Sequence, residues 1–168
     1  MATPAPVLAA TARLVVAEAT RTASAAVQAC LDGCPGYFER ADGSPASEDA
    51  AARLLDEAEA DPLRRVYLFS LRRGGAPAVL LDLWLEQPEP GTAHLGLLLV
   101  REPLQSQGLG REAVTALEAA LAAAGCRALR LSVTDENREV EGFWGQLGFA
   151  TVGRLDGGVT VHEKPLRG

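Results

Sequence analysis

The chain has 168 residues, 48% of them hydrophobic and 23% charged, with a net charge of −6 and an isoelectric point near 5.0. That length suits one compact α/β domain over residues 1–168, and the acidic balance argues against nucleic acid as a partner. No apolar run approaches the roughly 20 residues that a membrane span needs, so no membrane partner is expected.

The opening stretch, MATPAPVLAATAR, has neither the basic start nor the apolar core of a secretory signal, which predicts a cytoplasmic protein. Cys30, Cys34 and Cys126 are odd in number, form no CxxC and have no histidine at ligand spacing. They read as reduced, buried thiols, and no metal site is expected.

Residues 14–17, LVVA, form a short apolar run that reads as a first strand. Thr20 is placed to cap a helix over 21–31, with Ala23, Val27 and Leu31 on one face. Residues 32–47 are rich in Gly, Pro, Asp and Ser and read as a loop holding Tyr37 and Phe38. A second helix follows from Ser47 and stops at Asp61-Pro62.

From Arg65 the period shortens. Strands over 65–71, 77–86 and 93–100, joined by the turns at 72–75 and 87–91, make an antiparallel meander. Residues 109–124 carry Val114, Leu117 and Leu121 at helical spacing and end at Gly125. The strand over 128–133 completes a βαβ unit, so it should lie parallel to the strand over 93–100. A short helix over 137–147 and two final strands, 149–154 and 159–165, close a mixed sheet.

Residues 98–110, LLVREPLQSQGLG, are the chain's most specific stretch. A strand that turns through glycines into a helix N-terminus presents unpaired N–H groups and the positive end of a dipole to one spot, an anion site. GxGxxG fits poorly, and GxxxxGK[ST] is absent.

Gln105-Ser106-Gln107-Gly108-Leu109-Gly110 instead resembles the [QR]-x-x-G-x-[GA] acetyl-CoA loop of the GNAT N-acetyltransferase superfamily. A second pattern of that family follows at its spacing: Asn137, then Phe143-Trp144-Gly145-Gln146-Leu147-Gly148-Phe149. The resemblance is clear over about 93–165 and extends to the first half in element order alone. It implies a mostly antiparallel mixed sheet with a central parallel βαβ unit and flanking helices.

As co-substrate it implies acetyl-CoA. The diphosphate would rest on backbone amides of Gln105, Ser106, Gln107, Gly108, Leu109, Gly110 and Arg111, with the Gln105 and Arg111 side chains as helpers. The cofactor arm would run beside Leu98, Leu99 and Val100, and Asn137, Phe143 and Trp144 would complete the site.

Acetyl transfer to an amine needs a base for the amine, a donor for the oxyanion and an acid for the departing sulfur. Many GNAT enzymes place a tyrosine acid where this chain has Trp144, and an indole N–H donates hydrogen bonds without giving up its proton. Tyr37 and Tyr67 are the only phenols. His94 matches a strand histidine of the arylalkylamine branch, which has a second histidine where Gly96 stands here. His94, Glu86 and Asp82 are the candidate bases, the two acids being placed on one strand face by their even separation.

Asp135, Glu136, Glu139 and Glu141 either complement a helix dipole or draw a cationic amine. The expected activity is transfer of an acetyl group to a primary amine of a small molecule or peptide, directly in a ternary complex. A degenerate module that binds acyl-CoA without turnover is the alternative, and a homodimer is left open.

Overall fold

The computed structural model describes residues 4–167. Its seven strands form one sheet in the order β1-β2-β3-β4-β5-β7-β6. They are β1 (Leu14–Glu18), β2 (Arg64–Leu71), β3 (Pro77–Trp84), β4 (Thr92–Val100), β5 (Ala128–Thr134), β6 (Ala150–Leu155) and β7 (Val159–Pro165). The helices are α1 (Ser24–Asp32), α2 (Pro35–Asp42), α3 (Ala50–Ala60), α4 (Leu109–Ala123) and α5 (Glu141–Gln146). β4 and β5 pair in parallel and every other neighbouring pair is antiparallel, so the meander and the βαβ unit stand as the sequence predicts.

Alternation along the strands splits the core in two. Leu81, Leu83, Ala93 and Leu95 pack with Val114, Leu117 and Leu121 of α4 and with Trp144 of α5. Leu80 and Leu99 face the other way, onto Val27 and Leu31 of α1 and Leu55 of α3. The helices therefore cover opposite faces, and each strand residue is assigned to a side by parity.

Some boundaries differ from expectation. The stretch 32–47 is not a continuous loop, because α2 occupies Pro35–Asp42. Pro35 suits the first helical turn, and the Glu102 carboxylate accepts the Gly36 N–H at 2.9 Å, a contact from a distant loop. Gly43 then ends the helix with φ 72.

Before α1, Arg21–Ala23 is a 3-10 turn, and the Thr20 hydroxyl meets that of Thr22 at 3.0 Å instead of capping the helix. After the 3-10 turn Glu102–Leu104, a third such turn, Asp135–Val140, occupies the start of the helix expected over 137–147. β3 ends at Trp84, so Glu86, with φ 57, lies outside the strand, and the parity argument that joined it to Asp82 fails. All three cysteines are buried, and no described helix is long and apolar enough to cross a membrane.

Leu81 is fully buried in the central strand. Leu81→Ala should cost about 2–5 kcal/mol in equilibrium urea unfolding. Val15→Ala, on the exposed edge strand, should stay within about 0.5 kcal/mol of the parent.

Candidate active site

β4 and β5 pair only from Thr92–Ala128 to Leu95–Leu131, and beyond that point they separate. The register with β3 shifts at the same place, leaving Gly96 as an extra residue opposite the Asp82/Leu83 step. This bulge bends β4 away from β5 just where pairing ends. A cavity of about 950 Å³ fills the resulting gap. Leu97 and Tyr37 line it from the α1–α2 face and Leu95, Phe143 and Trp144 from the α4–α5 face, so it passes through the sheet.

The freed edge of β4 is polar backbone. Arg101 donates its N–H to Ala78 O at 3.1 Å, toward β3, so by alternation Leu98 and Val100 turn their N–H and C=O groups to the cavity. Val100 O is already occupied. The Cys34 thiol donates to it at 3.2 Å and the Gln105 side-chain amide at 2.9 Å. Burial pushes the Cys34 pKa up to about 11, keeping the thiol a donor. Leu98 N–H, Leu98 C=O and Val100 N–H remain available to a ligand that can extend the sheet edge.

At the far end of β4 the loop turns into α4. Ser106 has φ 64 and Gly108 φ 83, and α4 starts at Leu109. The six consecutive N–H groups from Ser106 to Arg111 have no acceptor among the described residues; the next, that of Glu112, bonds Gly108 O at 3.0 Å. Six open N–H groups at a helix N-terminus make a nest for an anion.

Gly110 is a packing requirement, since a Cβ there would sit 3.3 Å from Val100 Cγ2 and 3.4 Å from Phe143 Cζ. The loop is braced from below by Arg13, which donates to Gln107 O at 2.8 Å and to Glu112 Oε1 at 2.9 Å. Thr11 also bonds the Glu112 carboxylate, and these contacts together hold its pKa low. Arg13 had no signal in sequence, being remote from the loop it supports.

The acetyltransferase (GNAT) family model matches residues 27–149. The chain belongs to the GNAT acetyltransferase family.

Among solved structures it is similar to an acetyltransferase from Thermus thermophilus, at 31% identity and TM-score 0.84, covering 95% of this chain and 100% of that one. The PaiA N-acetyltransferase from Thermoplasma acidophilum, solved with coenzyme A, shares the fold at 12% identity and TM-score 0.69, over 90% of this chain and 98% of that one. So does the spermidine N-acetyltransferase from Vibrio cholerae, solved with CoA and spermine, at 14% identity and TM-score 0.72, over 91% and 95%.

The GNAT donor residues expected from sequence gather on this cavity, with Leu98, Leu99, Val100, Gln105, Ser106, Gly108, Leu109, Gly110, Arg111, Asn137, Phe143 and Trp144 all on its wall. Gln107 is in the loop but off the wall, its carbonyl held by Arg13. Asn137 breaks the 3-10 turn with φ −118, and its side-chain Oδ1 is buried without a partner, as a ligand-facing amide would be. The chain thus fits a diphosphate with an amide-bearing arm. Gln105 departs from that expectation: its backbone N–H donates to Glu102 O at 3.2 Å and its side-chain amide to Val100 O at 2.9 Å, which ties the loop to β4.

The candidate bases separate. Asp82 is buried and held by Arg64 at 2.9 and 2.7 Å. Glu86 and His94 are both off the cavity wall, but His94 immediately precedes its residue Leu95. His94 lies on the α1–α3 side of the sheet, across from Trp84 on β3 and Arg130 on β5. Burial, then the Arg130 charge, lowers its pKa below the ordinary 6.5, so the imidazole is neutral at physiological pH.

Trp144 stacks edge-on to Phe143 and Phe149 at 4.8 and 5.2 Å and is buried. Of the two phenols, Tyr67 is buried and donates to Pro6 O at 2.9 Å, whereas Tyr37 of α2 lines the cavity. Burial raises the Tyr37 pKa, which keeps it protonated.

Gly108→Ala should lose about 1–2 kcal/mol from the left-handed backbone, with the new Cβ 3.3 Å from Arg13 Nη2. By re-aiming the nest it should also weaken CoA binding about tenfold or more in titration calorimetry. Gly125→Ala, at φ +91 with no neighbour, should lose stability alone.

Proposed function

We propose that the protein is an acetyl-CoA-dependent N-acetyltransferase that passes the acetyl group to a primary amine directly, in a ternary complex. The observation that carries this reading is the through-sheet cavity, which joins the N–H nest to the α1–α2 side of the sheet, the side on which His94 also lies. When bound, acetyl-CoA supplies an activated acyl group. The nest holds its diphosphate, Leu98 and Val100 pair with its arm, and Asn137 contacts it at the turn after β5.

Neutral His94 takes a proton from the incoming amine, directly or through water. The new C–N bond forms as the C–S bond breaks. The sulfur recovers a proton from the Tyr37 hydroxyl, which stands in for the family tyrosine that Trp144 replaces. A non-catalytic acyl-CoA-binding module is the second reading, favoured by the burial of Trp144 in the core.

Since the neutral imidazole is the active form, kcat/KM should rise with pH through an apparent pKa below 6.5. His94→Ala should abolish that limb and lower kcat by about 10²-fold or more. Tyr37→Phe should lower kcat by about tenfold or more while leaving CoA affinity within about twofold, as expected for a group acting on the proton alone. Steady-state thiol release over a panel of amines checks both. Tight CoA binding with no turnover on any amine would establish the second reading.

A further inference from the structure

The sheet face around His94 carries more hydrogen-bond donors than acceptors. Trp84 flanks His94 on β3 and Arg130 flanks it on β5. The Trp84 ring is fixed, with the Arg64 guanidinium 4.5 Å from its centroid and Arg64 itself held by Asp82 and, at 3.2 Å, by Glu57. A Cβ on Gly96 would lie 3.3 Å from Trp84 Nε1 and 3.4 Å from Cδ1. The indole N–H edge therefore takes the place at the bulge that a side chain of residue 96 would fill, and Gly96 lines the cavity. Nothing among the described residues accepts from Nε1.

The acids beside His94 and on the cavity wall are engaged. Asp82 and Glu57 pair with Arg64, Glu163 with Arg130, and Glu139 with Arg40, while Glu102 accepts from Gly36 N–H. Arg130 places Nε and Nη2 on one oxygen of Glu163, at 2.8 and 2.6 Å, so its Nη1 adds another unmatched donor. Beside His94 a polycation would meet donors in place of open carboxylates, Asp42 lying on α2 with its charge toward Tyr37, whereas an oxygen on the substrate would find donors on both sides of His94.

We propose that the acceptor is an α-amino carbonyl compound, a primary amine whose neighbouring carbon bears a hydrogen-bond-accepting oxygen, and that Trp84 Nε1–H is the donor that selects it. The proposal rests on the acetyl-transfer reading above for calling this ligand the acceptor. Arg64 and Asp82 act through Trp84 as positioning residues, and Gly96 keeps the indole edge at the bulge.

The test is calorimetry of four amines on the CoA-loaded protein, namely alaninamide, alanine, isopropylamine and spermidine, with acetyl transfer to the same four measured in parallel. Alaninamide and alanine, in either order, should bind about tenfold or more tighter than isopropylamine, with spermidine no better than isopropylamine. Trp84→Phe keeps an aromatic ring under Arg64 but removes the N–H. It should bring the alaninamide-to-isopropylamine ratio within about twofold of one at unchanged CoA affinity. Gly96→Ala, which pushes on the same indole edge, should shrink the ratio too, and melting temperatures report whether either variant folds.

Equal binding of alaninamide and isopropylamine, preference for spermidine, or a ratio unchanged in both folded variants would overturn the proposal. The expected preference in binding with no transfer to any of the four would uphold the ligand class and overturn the acetyl-transfer reading instead.

Discussion

The site depends on one broken contact, the loss of β4–β5 pairing beyond Leu95–Leu131. A parallel pair interrupted in mid-sheet leaves backbone donors and acceptors unmatched in the interior, a cost the fold would normally avoid. Here the cost is contained. β4 stays paired with β3 along its length, β5 stays paired with β7, and Cys34 and Gln105 share the one carbonyl at Val100 that ends the open edge. What is left open is a short strip of backbone leading to the N-terminus of α4. The polar groups are fixed before any ligand arrives, so binding does not have to order them.

The two faces of the sheet then divide the work. On the α4–α5 side, Phe143 and Trp144 close the cavity with aromatic surface, and Gly110 lets α4 approach β4 closely enough to aim its first turn at the opening. On the α1–α3 side, a buried acid inside β3 is neutralised by Arg64, which in turn stacks on Trp84. A buried ion pair of this kind is weak evidence for stability. Its visible structural effect is to hold an aromatic ring still beside the bulge and His94.

What could be read from sequence was what backbone chemistry announces locally. Glycines at 108 and 110 before a helix-forming run declare an N–H nest, and Asn137 with the Phe143–Phe149 stretch places a second wall at a known distance. Contacts between distant segments left no such mark. The stretch 32–47 looked like loop by composition, yet a carboxylate from Glu102 caps α2 across 66 positions of chain and sets Tyr37 on the cavity. Asp82 reads as a base by its place in an apolar strand, but Arg64, 18 positions earlier, holds both its oxygens. Glu86 looked like its strand neighbour, but the backbone leaves the strand before reaching it. Only the Asp82 partner follows from strand neighbours; the Glu102 contact and the backbone turn at Glu86 lie outside the sheet, and single-residue patterns carry none of the three.

The central claim is that an acyl-CoA is gripped by preformed, unpartnered backbone N–H groups. Amide hydrogen exchange with and without acetyl-CoA, read residue by residue by NMR, tests this most directly. The account predicts strong slowing at Ser106 to Arg111 and at Leu98 and Val100, with little change in α3. Exchange at those amides left unchanged under saturating acetyl-CoA would contradict it.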